Sequence, residues 1–417
     1  MKSITTKSFL FPFILVTSLF FFWGFVHNLD PILIPHLRKA FQLTDLESSL
    51  VDSSVFIAYF AMALPAGFIM RKYGYKSGIL IGLLLFGIGS ILFVPAANTL
   101  QYIFFLGALF IIACGLTFLE TAANPYVTIL GPAATATQRL NFSQSFNGLA
   151  AFVAPTFIGP LILSGNELSK EKIASMSATE LHAFISQEAA SVKMPYLILG
   201  IIILLVAVIF YFTKLPDIKH EEEDETASGS FAGAWQSIRL RWGIAAQFFY
   251  VGAQVCVGSF FIRMSTNAGG ISETTATTYL GIYGLAFMLG RFAGTFFMQY
   301  ISPRRLLAWY AMINIALCVM AIFSSGIIVI IALIAISFFM SIMFPTIFSL
   351  GIQGLNHHTK IGSSLIIMSI VGGALLPPVL GKISDATQNI QYGYVVPLIC
   401  FVVVLLFTFK VIPQKIN

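Results

Sequence analysis

Apolar runs of about twenty residues, separated by short polar turns, recur along the whole chain. A run of that length crosses a bilayer as a helix, because a rise of about 1.5 Å per residue covers the roughly 30 Å of hydrocarbon. The pattern predicts spans over 9–35, 48–70, 77–97, 100–128, 141–163 and 194–213. A hydrophilic stretch, 214–241, follows and carries the acidic block 221–225. Six more spans are predicted over 242–263, 275–299, 305–324, 327–352, 361–381 and 392–411. The expected fold is an all-α membrane protein with 12 transmembrane helices in two six-helix bundles. The N-terminal bundle occupies 1–213, a linker 214–241, and the C-terminal bundle 242–417. An acidic stretch between two apolar halves reads as a solvated tether.

Composition agrees with this layout. Of the 417 residues, 58% are hydrophobic and 10% charged, against about 25% charged in soluble domains. The net charge of +6 therefore speaks of orientation in a membrane rather than of nucleic acid. With both termini inside, Lys and Arg fall about two to one on the cytoplasmic side. That predicts a multi-pass membrane protein with both termini and the linker cytoplasmic; the cell (inner) membrane is what the family resemblance described below implies. The apolar run after Lys2 and Lys7 is long enough to span and has no clear cleavage site, so it reads as the first span rather than a signal peptide. Cys114, Cys256, Cys318 and Cys400 all sit in apolar stretches without CxxC spacing, which predicts neither disulfide nor metal. His357 and His358 have no acid or Cys nearby in sequence, so no metal is expected there either. HExxH, the P-loop and GxSxG are all missing. The chain is thus expected not to be an enzyme and to use no cofactor.

Ionisable groups inside the spans carry the chemistry. Glu120 is the sole charged side chain from Tyr102 to Leu130. A charge at a helix centre costs roughly 2.5–3.5 kcal/mol on insertion scales, and burial favours the neutral, protonated acid. Such a residue is usually kept for function, and proton carriage is the leading reading. Asp30 precedes Pro31, which removes a backbone hydrogen bond and predicts a kink near Asn28. Asp30 is a second proton candidate, or else an interfacial cap. Asp52, in the first turns of the second span, reads as an acid favouring the helix dipole. Arg291 also lies inside a span.

Neutral polar side chains cluster as well. Glu120 and Asn124 are i and i+4, and Gln144 and Asn147 are i and i+3, so each pair shares one helix face. Gln247, Tyr250 and Gln254 repeat the pattern on the seventh span. Amides both donate and accept hydrogen bonds, as sugar hydroxyls require, and Trp23 and Tyr250 offer aromatic faces. Helix–helix hydrogen bonding is the competing explanation for any single amide.

At these residues the chain resembles the fucose–galactose–glucose proton symporter family of the major facilitator superfamily. The likeness rests on Leu119 to Pro125, Leu130 to Pro132, Arg139 to Asn141, Gln144, Phe146 and Asn147. In the second half it rests on Tyr250 to Gln254, Pro345 to Ile352, and Gly362 to Ser364. The loop from Gly67 to Lys76 is similar to the superfamily pattern G-x-x-x-D-R/K-x-G-x-R/K, with Arg71 in place of the acid. The resemblance implies import of a neutral monosaccharide with a proton by alternating access, with L-fucose first and glucose, galactose or another hexose next. It implies Glu120 as the substrate-coupled carboxylate, with Asp30 as a possible partner in proton coupling. Asn28, Asn124, Gln144, Asn147, Gln254, Tyr250 and Trp23 are the candidate substrate ligands. The expected partners are the sugar and the lipid bilayer, no nucleic acid, and the chain acts as a monomer. Two departures stand out. The helix-one acid of the fucose carriers falls one residue later, where this chain has Pro31, and one residue turns a helix by about 100°. Met343 and Phe344 replace a polar Gln–Tyr pair. The alternatives are a facilitator or drug exporter of the same fold, or a sensor that binds sugar without moving it.

Overall fold

The computed structural model describes residues 9–29, 33, 37, 41, 45–162, 176–216 and 230–411. Asp30, the side chain of Asp52 and the acidic block 221–225 lie outside what it describes.

Nine helical stretches among the described residues are long and apolar enough to cross a membrane, and a bent pair adds a tenth. One of the nine, Ser54–Thr99, has 46 residues. At 1.5 Å per residue this would run about 70 Å, twice the hydrocarbon thickness. It is two spans joined at Gly74, whose φ of 81° and ψ of 172° break the helix. Positive φ is open to glycine at little cost, so the loop from Gly67 to Lys76 turns on this one residue. The helix Ala136–Ile162, 27 residues long, supplies the fifth span and completes the expected twelve. Between spans five and six the described residues include a helix, Ala178–Ser191, opened by a capping box between Ser177 and Glu180.

Several spans are interrupted, and proline explains two of the breaks. The first span ends at His27 with Asn28 as its cap. Pro31, four residues on, has no N–H to offer the His27 carbonyl. The tenth span divides into Ile327–Met340 and Met343–Ile352. Pro345 denies the Ser341 carbonyl its helical donor in the same way. The seventh span bends by 51° between Ile238–Ser259 and Phe261–Asn267, and the eleventh carries a 3-10 turn at Ser369–Val371.

Close helix approach depends on small residues. A Cβ on Gly115 of the fourth span would lie 2.5 Å from the Phe86 backbone nitrogen and 2.6 Å from the Gly82 carbonyl. The third and fourth spans therefore touch backbone to backbone. The outer faces carry exposed Phe11, Ile103, Phe157, Leu205, Phe212 and Phe323, as lipid contact demands.

Spans one, four and five pack together, and spans four and five also meet the second half. Span five packs on spans eight and ten, and span four on spans ten and eleven. The turn between spans four and five is fixed by Arg139, which is fully buried. Its guanidinium donates to the carbonyls of Val127, Thr128, Gly131 and Pro132 and to the Thr135 hydroxyl. The chain leaves the helix here, and the guanidinium supplements the turn bonds from Leu130 N to the Val127 carbonyl and from Thr135 N to the Pro132 carbonyl. The clamp sets the register between the polar face of span four and that of span five.

Candidate functional site

Glu120 lies on span four, Tyr102–Ile129, with 9% of its surface exposed. The Tyr59 hydroxyl of span two donates to its Oε1 at 2.5 Å. Short O–H···O distances of this kind mark a charge-assisted bond when the acceptor is ionised. One helical turn further on, the Asn124 Oδ1 accepts from Gln144 Nε2 at 3.1 Å, which ties span four to span five.

Gln144 and Asn147 are then engaged from the other half. Arg291, on the helix Glu273–Phe297 of span eight, directs Nη1 to the Gln144 carbonyl at 2.6 Å, the Gln144 Oε1 at 3.2 Å and the Asn147 Oδ1 at 3.3 Å. Its Nε donates to the Ser341 carbonyl at 3.1 Å, the oxygen stranded by Pro345. The Phe287 ring lies against the guanidinium, 4.6 Å from its centroid, a cation–π contact that tolerates the charge in an apolar setting. Arg291 keeps 5% of its surface exposed and stands within electrostatic reach of Glu120 and of Tyr250. The acid comes from the first half and the base from the second, and the base binds Gln144 and Asn147 on the helix whose Gln144 also bonds Asn124, one turn from Glu120. Glu120 is buried, and its hydrogen bond among the described residues is the one from Tyr59.

Glu120, Asn124, Gln144 and Asn147 are brought together. Asn147 also packs on span one, where a Cβ at Gly24 would come 2.8 Å from its Cγ. Trp23, the preceding residue, is buried with its ring 4.2 Å from that of Phe20. Asn28 donates to its own helix, Nδ2 to the Gly24 carbonyl at 2.6 Å, and so serves as a cap in this state. Tyr250 is fully buried on span seven. Gln254 is half-buried on the same helix, and no described hydrogen bond joins it to the cluster. Asp30 falls outside the described residues. Among the described residues no three His, Cys, Asp or Glu side chains are placed to hold a metal.

Two members escaped assignment from the sequence. Arg291 carried the needed signal, since the cost of an ion in oil that singled out Glu120 applies equally to a base. Tyr59 gave none, because a tyrosine in an apolar span is unremarkable until its partner is known. Polar capacity is also left over. Asn124 Nδ2, Asn141 Oδ1 and both amide atoms of Gln247 are buried without a hydrogen-bond partner. Such atoms cost about 1–3 kcal/mol each and form a reserve of donors and acceptors.

A family model for the Major Facilitator Superfamily matches residues 13–377. The chain belongs to that superfamily. As a Major Facilitator Superfamily transporter it has the twelve-span fold in two six-helix bundles expected from its sequence. It is 42% identical to the L-fucose-proton symporter of Escherichia coli (strain K12), over 96% of this chain and 93% of that protein. It is 41% identical to a glucose/galactose transporter of Brucella abortus biovar 1 (strain 9-941), over 95% and 92%. Its structure is similar to the crystal structure of a Major Facilitator Superfamily transporter, FucP, in the outward conformation. That likeness has a TM-score of 0.91 at 41% identity and covers 98% of this chain and 100% of the other.

Proposed function

We propose that this transporter imports a neutral monosaccharide together with a proton by alternating access. L-fucose is the first choice of sugar, with glucose, galactose or another hexose next. The relatives support the class of substrate, since one is an L-fucose-proton symporter and another a glucose/galactose transporter. The observation that carries the reading is Glu120, a buried carboxyl held by the Tyr59 hydroxyl and set beside the amides of Asn124 and Gln144.

Glu120 takes up the coupling proton, with Asp30 as a second carrier. The sugar binds between the bundles on Asn124, Gln144, Asn147 and Gln254, with Asn28, Tyr250 and Trp23 completing its surroundings. An ionised carboxylate at the centre carries a desolvation cost. Protonation removes that cost, so the loaded protein closes over the sugar and rocks. The sugar's hydroxyls replace the contacts that Arg291 now makes to Gln144 and Asn147. The bundles, 1–213 and 242–417, move as bodies about this centre, joined by the linker 214–241. The protein works as a monomer in the cell (inner) membrane with both termini cytoplasmic, uses no cofactor beyond the proton, and binds no nucleic acid. The Lys and Arg bias supports that orientation.

Counterflow in proteoliposomes with a panel of labelled sugars tests this directly. A neutral hexose or deoxyhexose carried with concurrent proton movement is the expected result. Failure of every sugar on the panel overturns it.

A further inference from the structure

A buried carboxyl can fail as a proton carrier in two ways. It can refuse a proton, or it can keep one. Desolvation penalises the ionised form of an acid in an apolar span, so keeping the proton is the hazard at Glu120. Release into a near-neutral compartment needs a group that favours the anion. Among the described residues one hydrogen bond reaches the Glu120 carboxyl, from the Tyr59 hydroxyl to Oε1 at 2.5 Å. Bonds from a hydroxyl to an ionised carboxylate are short and roughly twice as strong as neutral ones. A protonated carboxyl accepts more weakly, so this bond favours the state that has lost its proton. Glu120 keeps a small accessible surface, which lets its proton exchange with water.

The fold holds this donor in place. Tyr59 is buried. Span two, which carries it, lies against span eleven on either side of Tyr59, with Phe56 beside Gly373 and Gly67 beside Ser364. The other ionisable groups around the pair are few. Arg291 of span eight stands within electrostatic reach of Glu120, but its donors go to Gln144, Asn147 and Ser341. His27 of span one lines a small cavity together with Val55 and Leu116, which precede Tyr59 and Glu120 by one helical turn each. Lys360 of span eleven lies over the Tyr75 ring, at the turn between spans two and three. Span three meets span four here through Gly78 and Gly82, and span five brings only the neutral amides of Gln144 and Asn147.

We propose that Tyr59 is the positioning residue that lets Glu120 give up its proton. The inference rests on the proton-carrier reading above and adds the group that keeps the carrier from holding its cargo too tightly. With the hydroxyl in place the anion has a partner, and the proton departs once the site meets the receiving compartment. Without it the carboxyl still takes a proton, and does so at higher pH, but yields it slowly. Loss of one hydrogen bond to a charged group should raise proton affinity about ten-fold, a shift of about one pH unit.

Tyr59→Phe keeps the buried ring and removes the oxygen alone. Infrared difference titration of the purified protein follows the carbonyl stretch of protonated Glu120, assigned by its loss in Glu120→Gln. Its midpoint should rise by about one pH unit in Tyr59→Phe. Replacing Tyr59 by 3-fluorotyrosine, whose more acidic hydroxyl donates more strongly, should move the midpoint down. Both shifts are expected again in a His27→Gln background, and their disappearance there would assign them to the imidazole and overturn the proposal. In proteoliposomes Tyr59→Phe should slow net proton-driven uptake about ten-fold relative to exchange. Making the interior about one pH unit more alkaline should restore it, which repair of a merely structural defect would not. A midpoint that stays or falls in Tyr59→Phe, or net uptake that internal alkalinity leaves slow, overturns the role of Tyr59. If the parent protein moves no sugar with a proton, it is the proposed function that fails, and the infrared midpoints still decide what Tyr59 does to Glu120.

Discussion

Replacing Glu120 by Gln separates charge from shape. The amide keeps the size of the carboxyl, and its oxygen still accepts from the Tyr59 hydroxyl, 2.5 Å away in the parent protein. What it loses is the ability to carry a proton. Import of a neutral sugar with one proton moves one net charge, and 100 mV across the membrane contributes about 2.3 kcal/mol to that step. At about 1.4 kcal/mol per factor of ten this sustains roughly 40-fold accumulation. The expected outcome for Glu120→Gln is a steady-state sugar ratio of about one under an imposed potential of 100 mV, inside negative. The parent protein should approach the roughly 40-fold limit. Exchange of labelled for unlabelled sugar should persist, because it needs no net proton movement. The assay is uptake in proteoliposomes with a potassium diffusion potential, followed by counterflow in the same vesicles. Uphill uptake retained at neutral pH by Glu120→Gln would refute the reasoning, since no other acid among the described residues occupies this centre.

Three further changes probe the parts around it. Arg291→Met removes the donor that occupies Gln144 and Asn147 in the empty protein; hydrogen bonds from a charged group contribute about 1.5–3 kcal/mol, and a sugar no longer has to displace them, so half-saturation for sugar in counterflow should fall at least about ten-fold. Arg291→Lys should not restore the parent value, because an ammonium lacks the planar fork, and full rescue by Lys would contradict the geometry. Gly115→Ala places a methyl against the backbone of Phe86 and Gly82, and overpacking of this kind costs about 1–3 kcal/mol; a lower thermal midpoint in detergent is expected, and an unchanged one would show that the helices part freely. Asp30→Asn should weaken sugar-induced alkalinisation if this residue shares the proton, whereas a normal proton signal assigns it to structure.

The spans were legible because length alone separates a bilayer-crossing helix from other elements, and twelve such runs divided by an acidic stretch leave few folds. The interruptions were harder to read. Pro31 pointed correctly to a break near Asn28, but the break in span ten needed Pro345 to be read four residues backward, onto Ser341. The turn between spans two and three falls inside the expected loop, Gly67 to Lys76, and is narrowed to the positive φ of Gly74 with helix on either side. Within the site, i to i+4 spacing placed Glu120 with Asn124 and Gln144 with Asn147. Which faces meet which is long-range information that no local pattern carries. Hence the bonds from Tyr59, 61 positions before Glu120, and from Arg291, 144 positions after Asn147, emerged only in three dimensions. Asn28 illustrates the opposite difficulty: its amide looked free for a ligand, yet at the end of the helix it folds back as a second donor to the Gly24 carbonyl.

The arrangement also explains how a proton and a neutral sugar can depend on one another. Arg291 crosses from one half to the other and holds the same amides that would receive hydroxyl groups. An ionised Glu120 would add an attraction to the hydrogen bonds that hold the guanidinium. Neutralising the carboxyl removes that attraction and lowers the cost of releasing Gln144 and Asn147 to a sugar. A sugar that takes those amides leaves the guanidinium with fewer partners and favours the protonated acid less than an empty site does only if Arg291 stays in place. If Arg291 withdraws, the loss of nearby positive charge favours protonation. Coupling in the productive direction therefore requires Arg291 to move when sugar binds, and linkage makes the effect reciprocal. A spectroscopic label on span eight that reports the same position of Arg291 with and without a transported sugar would remove this route from the mechanism.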